Sequence, residues 1–325
     1  MMHRPRYSVF LNTFNTCVDR FCTAGYSEKV SVAGQFAAAR KLSGISAVDV
    51  VVYSDTRLDE IARQLAQGGL ELASVLPDIT CAPMYQHGAF TAPDPEVRRS
   101  AVQNVCRCMD FAAEHGCRSV TVWPGQDGYD YLFQSDYLLV YEQLKEGLAA
   151  CAAHRSDVTL HIEYKPYEPR THSYLDSCTS VLALIQSLPY RNLGVVIDFG
   201  HTLMNNCAPG QAVALCKAHG VDRLHLHLND SFAHMDDDLI PGTAHTQYYL
   251  EFFYWLQYIG YEGYITFDQF PYRENAAQAV EEARLWLDFL WERACSVEMQ
   301  EVVQVLRRRD GIASSRLMRR MLSGK

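Results

Sequence analysis

LGVVID, residues 193–198, is an apolar run that ends on a carboxylate, and FGH follows it at 199–201. Six residues, most of them apolar and half of them β-branched, are too few for a stable helix and read as a strand buried on both faces. Runs of the same kind recur along the chain: YSVFLN (7–12), AVDVVVY (47–53), LELASVL (70–76), SVTVW (119–123), VTLHIEY (158–164), LHLHL (224–228) and GYITFD (263–268). Segments of helical periodicity separate them, such as VRRSAVQNVCRCMDFAAEHG (97–116), whose final Gly116 is expected to stop the helix. Alternating strands and helices predict parallel βα units. Eight such runs, followed by a closing helix in AAQAVEEARLWLDFLWERA (276–294), predict a single α/β (β/α)8 TIM barrel. An open doubly wound sheet would require a glycine-rich phosphate turn after the first run, and TFNTCVDRFCTAGY stands there instead.

The barrel is assigned to residues 1–292, with a C-terminal helical extension at 293–325. That extension is basic, with RRRD at 307–310 and RLMRR at 316–320. Apolar Val302, Val303, Val305 and Leu306 interleave with its charges, so it is expected to pack on the barrel or on a neighbouring subunit of a dimer or tetramer. The net charge of -9 argues against a nucleic-acid partner. No apolar stretch approaches the roughly 18 residues of a membrane span. The 11 cysteines show no C-x-x-C pair and no metal-finger spacing. They read as reduced thiols, and with no secretory signal pattern the expectation is a soluble cytoplasmic protein.

In a barrel of this kind the chemistry sits at the C-terminal ends of the strands. The fifth run ends near Glu163, the sixth in Asp198, the seventh carries His225 and His227, and the eighth ends in Asp268. A lone Asp at a strand end is usually a helix cap, and a lone strand His is usually a satisfied core group. Four in register on successive strands form an oxygen-rich set suited to Mn2+, Mg2+ or Co2+, one or two ions per chain. Asp198 and His201 form D-x-x-H at the strand-to-loop junction. Asp236, Asp237 and Asp238 read either as a solvated acidic loop or as donors for a second cation. Lys165, two residues beyond Glu163, lies on the same face of an extended chain and is either a charge-balancing partner or a catalytic group. Trp123, at the rim after the fourth run, either caps the core or walls a sugar ring.

The motifs HIEYKPYEP (161–169), VVIDFGH (195–201), HLND (227–230) with DDDLIPG (236–242), and FDQFP (267–271) resemble the xylose-isomerase-like barrels, most closely their L-rhamnose isomerase branch. GAFTAPDPEVR (88–98) and the DRF at 19–21 followed by GY at 25–26 add to the resemblance, which spans about Tyr7 to Trp286. It implies a first metal on Glu163, Asp198, His227 and Asp268. It also implies a second metal on His201 and Asp236 or Asp238, with Glu163 as a bridge. Lys165, Trp123, His201 and Phe270 would meet the sugar, and Glu163, Lys165 and Asp268 would be catalytic. The implied reaction is aldose–ketose isomerisation, with hydrogen moving between C1 and C2 as hydride or through an enediol. Sister epimerases use paired glutamates, and the shorter Asp268 makes epimerisation the second choice. A catalytically idle sugar-binding barrel is the further alternative, while a DNA endonuclease of the same fold is disfavoured by the acidic charge.

Overall fold

The computed structural model describes residues 4–324. Ten strands are present among them: β1 (Arg6–Phe10), β2 (Ile45–Val52), β3 (Glu71–Pro77), β4 (Ser119–Val122), β5 (Gly128–Tyr129), β6 (Thr159–Glu163), β7 (His172–Ser173), β8 (Leu193–Asp198), β9 (Leu224–Leu228) and β10 (Tyr264–Phe267). Eight of them, all parallel to their neighbours, close into a barrel in the order β1-β10-β9-β8-β6-β4-β3-β2. All eight strands expected from the sequence are barrel strands, and the sixth and seventh runs match to the residue. The first ends early because Leu11–Phe14 turn into a 3-10 helix.

The helices are α1 (Val32–Arg40), α2 (Leu58–Leu65), α3 (Pro95–Glu114), α4 (Tyr137–His154), α5 (Cys178–Gln186), α6 (Phe199–Met204), α7 (Pro209–Ala218), α8 (Thr246–Ile259), α9 (Ala276–Cys295), α10 (Met299–Arg308) and α11 (Gly311–Ser323). Their starts are written locally: Asp94 accepts from Glu96 N with Pro95 in the first turn, Asp136 caps α4, and Ser177 with Ser180 forms a capping box on α5. Past the end of α3, Gly116 has φ +73°, the left-handed conformation expected of a helix stop.

Alternation along each strand divides the interior. On β9, Leu224, Leu226 and Leu228 join the apolar layer beneath the helices, whereas His225 and His227 are bonded to groups inside the barrel. The barrel interior is unusually polar, since such interiors are mostly branched apolar side chains. Ser8, Asp49, Ser74, Thr121, His161, His225 and Thr266 are all buried there.

One feature lies outside the sequence reading. β5 and β7 pair antiparallel and tie the loop after β4 to the loop after β6. Two residues each are too few to leave a periodic signal. The closing helix α9 runs on to Cys295, and α11 lies against α8 and α9 of the same chain, with Val302 and Met321 buried. No helix among the described residues is long and apolar enough to cross a membrane.

Candidate metal centre at the barrel mouth

Four strand ends converge. Glu163 closes β6, Asp198 closes β8, His227 is on β9 and Asp268 follows β10, and their donor atoms all lie within 4.8 Å of one another. His227 Nδ1 lies 3.1 Å from Glu163 Oε1 and 3.5 Å from Asp268 Oδ2. Asp198 serves two purposes at once: its Oδ1 caps α6 by accepting from His201 N at 2.7 Å, and its Oδ2 accepts from Asn229 Nδ2 at 3.2 Å. The capping and ligand readings of this residue are therefore compatible.

A second group sits beside the first. The Asp198 cap starts α6, and the helix places His201 with Nδ1 3.7 Å from Asp198 Oδ1 and 3.5 Å from Glu163 Oε1. His201 Nδ1 also donates to the Tyr164 carbonyl at 3.0 Å, which leaves Nε2 facing Asp236 Oδ2 at 2.9 Å. Lys165 Nζ donates to the same Asp236 oxygen at 2.8 Å, lies 3.3 Å from Glu168, and stands 5.2 Å from the centroid of the Trp123 ring. Trp123 thus faces the ammonium rather than only capping the core.

The aspartate run is divided by its surroundings. Asp236 points at Lys165 and His201. Asp238 accepts from Asn229 Nδ2 at 3.2 Å, and its backbone carbonyl accepts from Phe270 N at 3.1 Å. Asp237 turns away and binds its own loop through Phe232 N at 2.7 Å and Ser231 Oγ at 3.2 Å. Phe270 is half-buried at the rim, its ring stacked near Tyr272.

Charge at the mouth is out of balance. Burial raises the Asp268 and Asp238 carboxyls well above their usual range, and neighbouring carboxylates add to the effect. Burial likewise lifts Asp198 to about 6. Glu163 and Asp236 are also penalised by burial, yet their net shift is downward because His227 and His201 face the first, and Lys165 and His201 the second. Burial would lower His201, but Asp198 and Asp236 hold it at about 9, and Asp236 raises Lys165 against its own desolvation. Five carboxylates thus share a buried site with Lys165 and two imidazoles. A divalent cation would supply the missing positive charge, and the hard oxygens with imidazole nitrogens suit such an ion. Asp236 Oδ1, buried and without a hydrogen-bond partner, is a further open donor position.

Several residues of the site carry no sequence signal of their own. Asn229 links Asp198 to Asp238, and its Oδ1 accepts from Gly200 N at 2.8 Å. Its place inside the HLND motif was the one available hint. A Cβ on Gly200 would meet that Oδ1 at 2.5 Å, so the D-F-G-H turn needs glycine. Phe10 sets its ring edge-on to His227 at 4.9 Å. His225 does not reach the mouth: its Nε2 is 2.7 Å from Asp49 Oδ2, one layer below.

The fold and site define a class: closed α/β barrels with a candidate metal-ligand cluster on the C-terminal ends of the strands. The chain belongs to the xylose isomerase-like TIM barrel family, whose match covers residues 36–290. Over 233 residues it is 31% identical to a xylose isomerase of Thermus thermophilus, covering 68% of this chain and 60% of that protein. A xylose isomerase of Thermus caldophilus is 31% identical over 225 residues, 67% of this chain and 58% of the relative. The chain thus spans about 60% of the length of these relatives. A D-tagatose 3-epimerase-like protein superposes with a TM-score of 0.68 at 17% identity, covering 89% of this chain and 99% of the other. An L-ribulose 3-epimerase does so with a TM-score of 0.64 at 15% identity, over 90% and 96% of the two chains. These structural likenesses establish the shared fold.

Proposed function

We propose that this chain is a divalent-metal-dependent aldose–ketose isomerase acting on a small sugar or sugar derivative. The observation that carries the reading is the Glu163–Asp198–His227–Asp268 ring with His201, Asp236 and Lys165 beside it. Glu163, Asp198, His227 and Asp268 would hold the first ion, and His201 with Asp236 or Asp238 the second; Mn2+, Mg2+ or Co2+ fits the donor set. This pairing of a D-x-x-H histidine with a loop aspartate is also what supports the rhamnose isomerase-like resemblance. When bound, the metal would polarise the sugar carbonyl and orient two adjacent oxygens.

The chain's own groups do the rest. Lys165 is a buried ammonium that exchanges its bond to Asp236 for one to the substrate oxygen, stabilising the negative charge that grows there. Trp123 offers a flat face next to that ammonium, and Phe270 lines the opposite rim. Glu163 and Asp268 are the carboxylates assigned to the chemistry at the reacting carbons. Isomerisation is preferred to epimerisation because Asp268 lies 3.5 Å from His227, within the ligand ring, and its short arm has little reach beyond it.

Two further parts of the reading concern the whole protein. Exposed Tyr131, Leu132, Phe133 and Leu138, clustered ahead of and within the first turn of α4, support assembly into a homo-oligomer. Buried reduced thiols such as Cys17, Cys108, Cys117 and Cys151 support a reducing, cytoplasmic location. The test is a panel of aldoses and ketoses incubated with Mn2+-loaded protein and followed by NMR. Appearance of the partner aldose or ketose is the expected result; C3-epimerised ketose alone would replace the isomerase reading with the epimerase one, and no turnover would leave a binding protein.

A further inference from the structure

Imidazoles that bind a metal through one nitrogen need an acceptor for the proton on the other. His201 has one, the Tyr164 carbonyl at 3.0 Å. His227 presents Nδ1 to Glu163 and Asp268, while its Nε2 is buried and has no hydrogen-bond partner. The acidic oxygen closest to that Nε2 is Asp49 Oδ2, at 4.0 Å.

Asp49 is fully buried on β2, a strand that contributes nothing to the ring of ligands. Its Oδ1 accepts from Ser8 Oγ at 2.5 Å and from Thr266 Oγ1 at 2.9 Å, and its Oδ2 is 2.7 Å from His225 Nε2. A carboxylate oxygen accepts more than one hydrogen bond, so Oδ2 has room for a second donor. Three neighbours from β1, β9 and β10 fix the carboxylate beneath the mouth. Phe10, packed edge-on against the His227 ring, limits how far that ring turns away.

We propose that Asp49 is the positioning residue for His227: its carboxylate accepts a hydrogen bond from Nε2–H, keeps the proton on that nitrogen, and so leaves Nδ1 aimed at the metal ring. A movement of about 1 Å brings the 4.0 Å contact into hydrogen-bond range. The inference rests on reading Glu163, Asp198, His227 and Asp268 as a metal site. Asp49 touches neither metal nor substrate and acts through His227.

The experiment has a wild-type arm that needs no substitution. In chelator-treated protein, two-bond 1H–15N correlations of the His227 ring are expected to show Nε2 protonated, with or without a second proton on Nδ1 towards Glu163; a ring protonated on Nδ1 alone overturns the proposal. Calorimetric titration with Mn2+, together with the visible spectrum of a Co2+-loaded sample, is then compared between wild type and Asp49→Asn. The expected loss is about 10–100-fold in metal affinity with an altered Co2+ spectrum. A lower melting temperature with unchanged metal affinity and spectrum would show a merely structural residue. One fewer ion bound per chain, with the mouth affinity unchanged, would make Asp49 a ligand of its own site with His225 and His227, and would also overturn it. If wild type binds no metal at all, the proposed function fails while the tautomer still decides the role of Asp49. Should Asp49→Asn not fold, the wild-type tautomer alone decides between the two outcomes.

Discussion

Asp49 in the middle of the barrel meets three donors, Ser8, Thr266 and His225, and its carboxyl is held below the usual range although burial opposes this. At the mouth, one layer up, Glu163, Asp198, Asp236, Asp238 and Asp268 crowd around His201, His227 and Lys165, and three of the five carboxyls are pushed up by burial. The two layers use the same residue types. The lower layer is satisfied by protein alone, which is what a structural polar network requires. The upper layer holds surplus negative charge in a desolvated place, a condition that costs stability and persists where something outside the chain balances it. That contrast separates a site from a core better than residue identity does.

The largest effect expected from this comparison is a reversal of sign. Asp268→Asn removes one of the crowded carboxylates, so in chelator-treated protein its melting temperature should rise above that of wild type. With saturating Mn2+ the order should invert, since wild type gains about 2.7 kcal/mol when metal is at a hundred times Kd and the variant binds far less. Differential scanning calorimetry with and without chelator reads both arms. A variant less stable than wild type in both conditions would mean the mouth is balanced like the layer below.

Next in size is Lys165→Met. If the lysine only balances Asp236, saturating metal should restore turnover. The expectation is instead a fall in kcat of about a hundredfold or more with KM and metal content nearly unchanged, the scale of one lost preorganised donor. Steady-state kinetics on the metal-loaded enzyme decides, and near-normal kcat would move the chemistry to the metals alone.

A smaller effect tests the lower layer away from Asp49. Ser74 Oγ lies 3.0 Å from both Thr121 Oγ1 and Ser119 Oγ, and Ser119 Oγ is 2.9 Å from His161 Nδ1. Ser74→Ala should lower unfolding stability by about 1–3 kcal/mol through unpaired buried hydroxyls, while Mn2+ titration stays at the wild-type value. Weaker metal binding would show that the layers are coupled through this chain as well. The smallest change is Asp237→Asn, which keeps an acceptor for Phe232 N and should leave metal affinity unaltered and stability within about 0.5 kcal/mol. Loss of an ion in this variant would assign the second site to Asp237 instead of Asp236 or Asp238.

Much of this architecture is legible in the order of residues. The period of strand and helix marks out eight βα units, because parallel strands buried on both faces must be apolar throughout and must be separated by enough chain to return. Strand-end placement then singles out Glu163, Asp198 and Asp268, with His225 and His227 together on the seventh run, since a polar residue near the end of such a run lies at the mouth by geometry alone; only barrel closure sends His225 to Asp49 instead. Lys165 follows from its two-residue offset along the chain.

The remainder depends on contacts between positions far apart in sequence. Within the run of three aspartates nothing local distinguishes Asp236 from Asp237, and only the folding of the loop over Lys165 and His201 sends one inward and turns the other to Phe232 N. Asn229 looks like an ordinary turn residue until it is seen between Asp198 and Asp238. Asp49 reads as a polar interruption in an apolar strand, and its partner His225 lies 176 residues away. The barrel and its strand-end donors follow from local periodicity and burial, which each stretch of chain carries within itself. Which donor faces which, and which carboxylates are left without a counter-charge, is settled by barrel closure, since hydrogen bonding and Coulomb forces act over ångströms in space and take no account of distance along the chain.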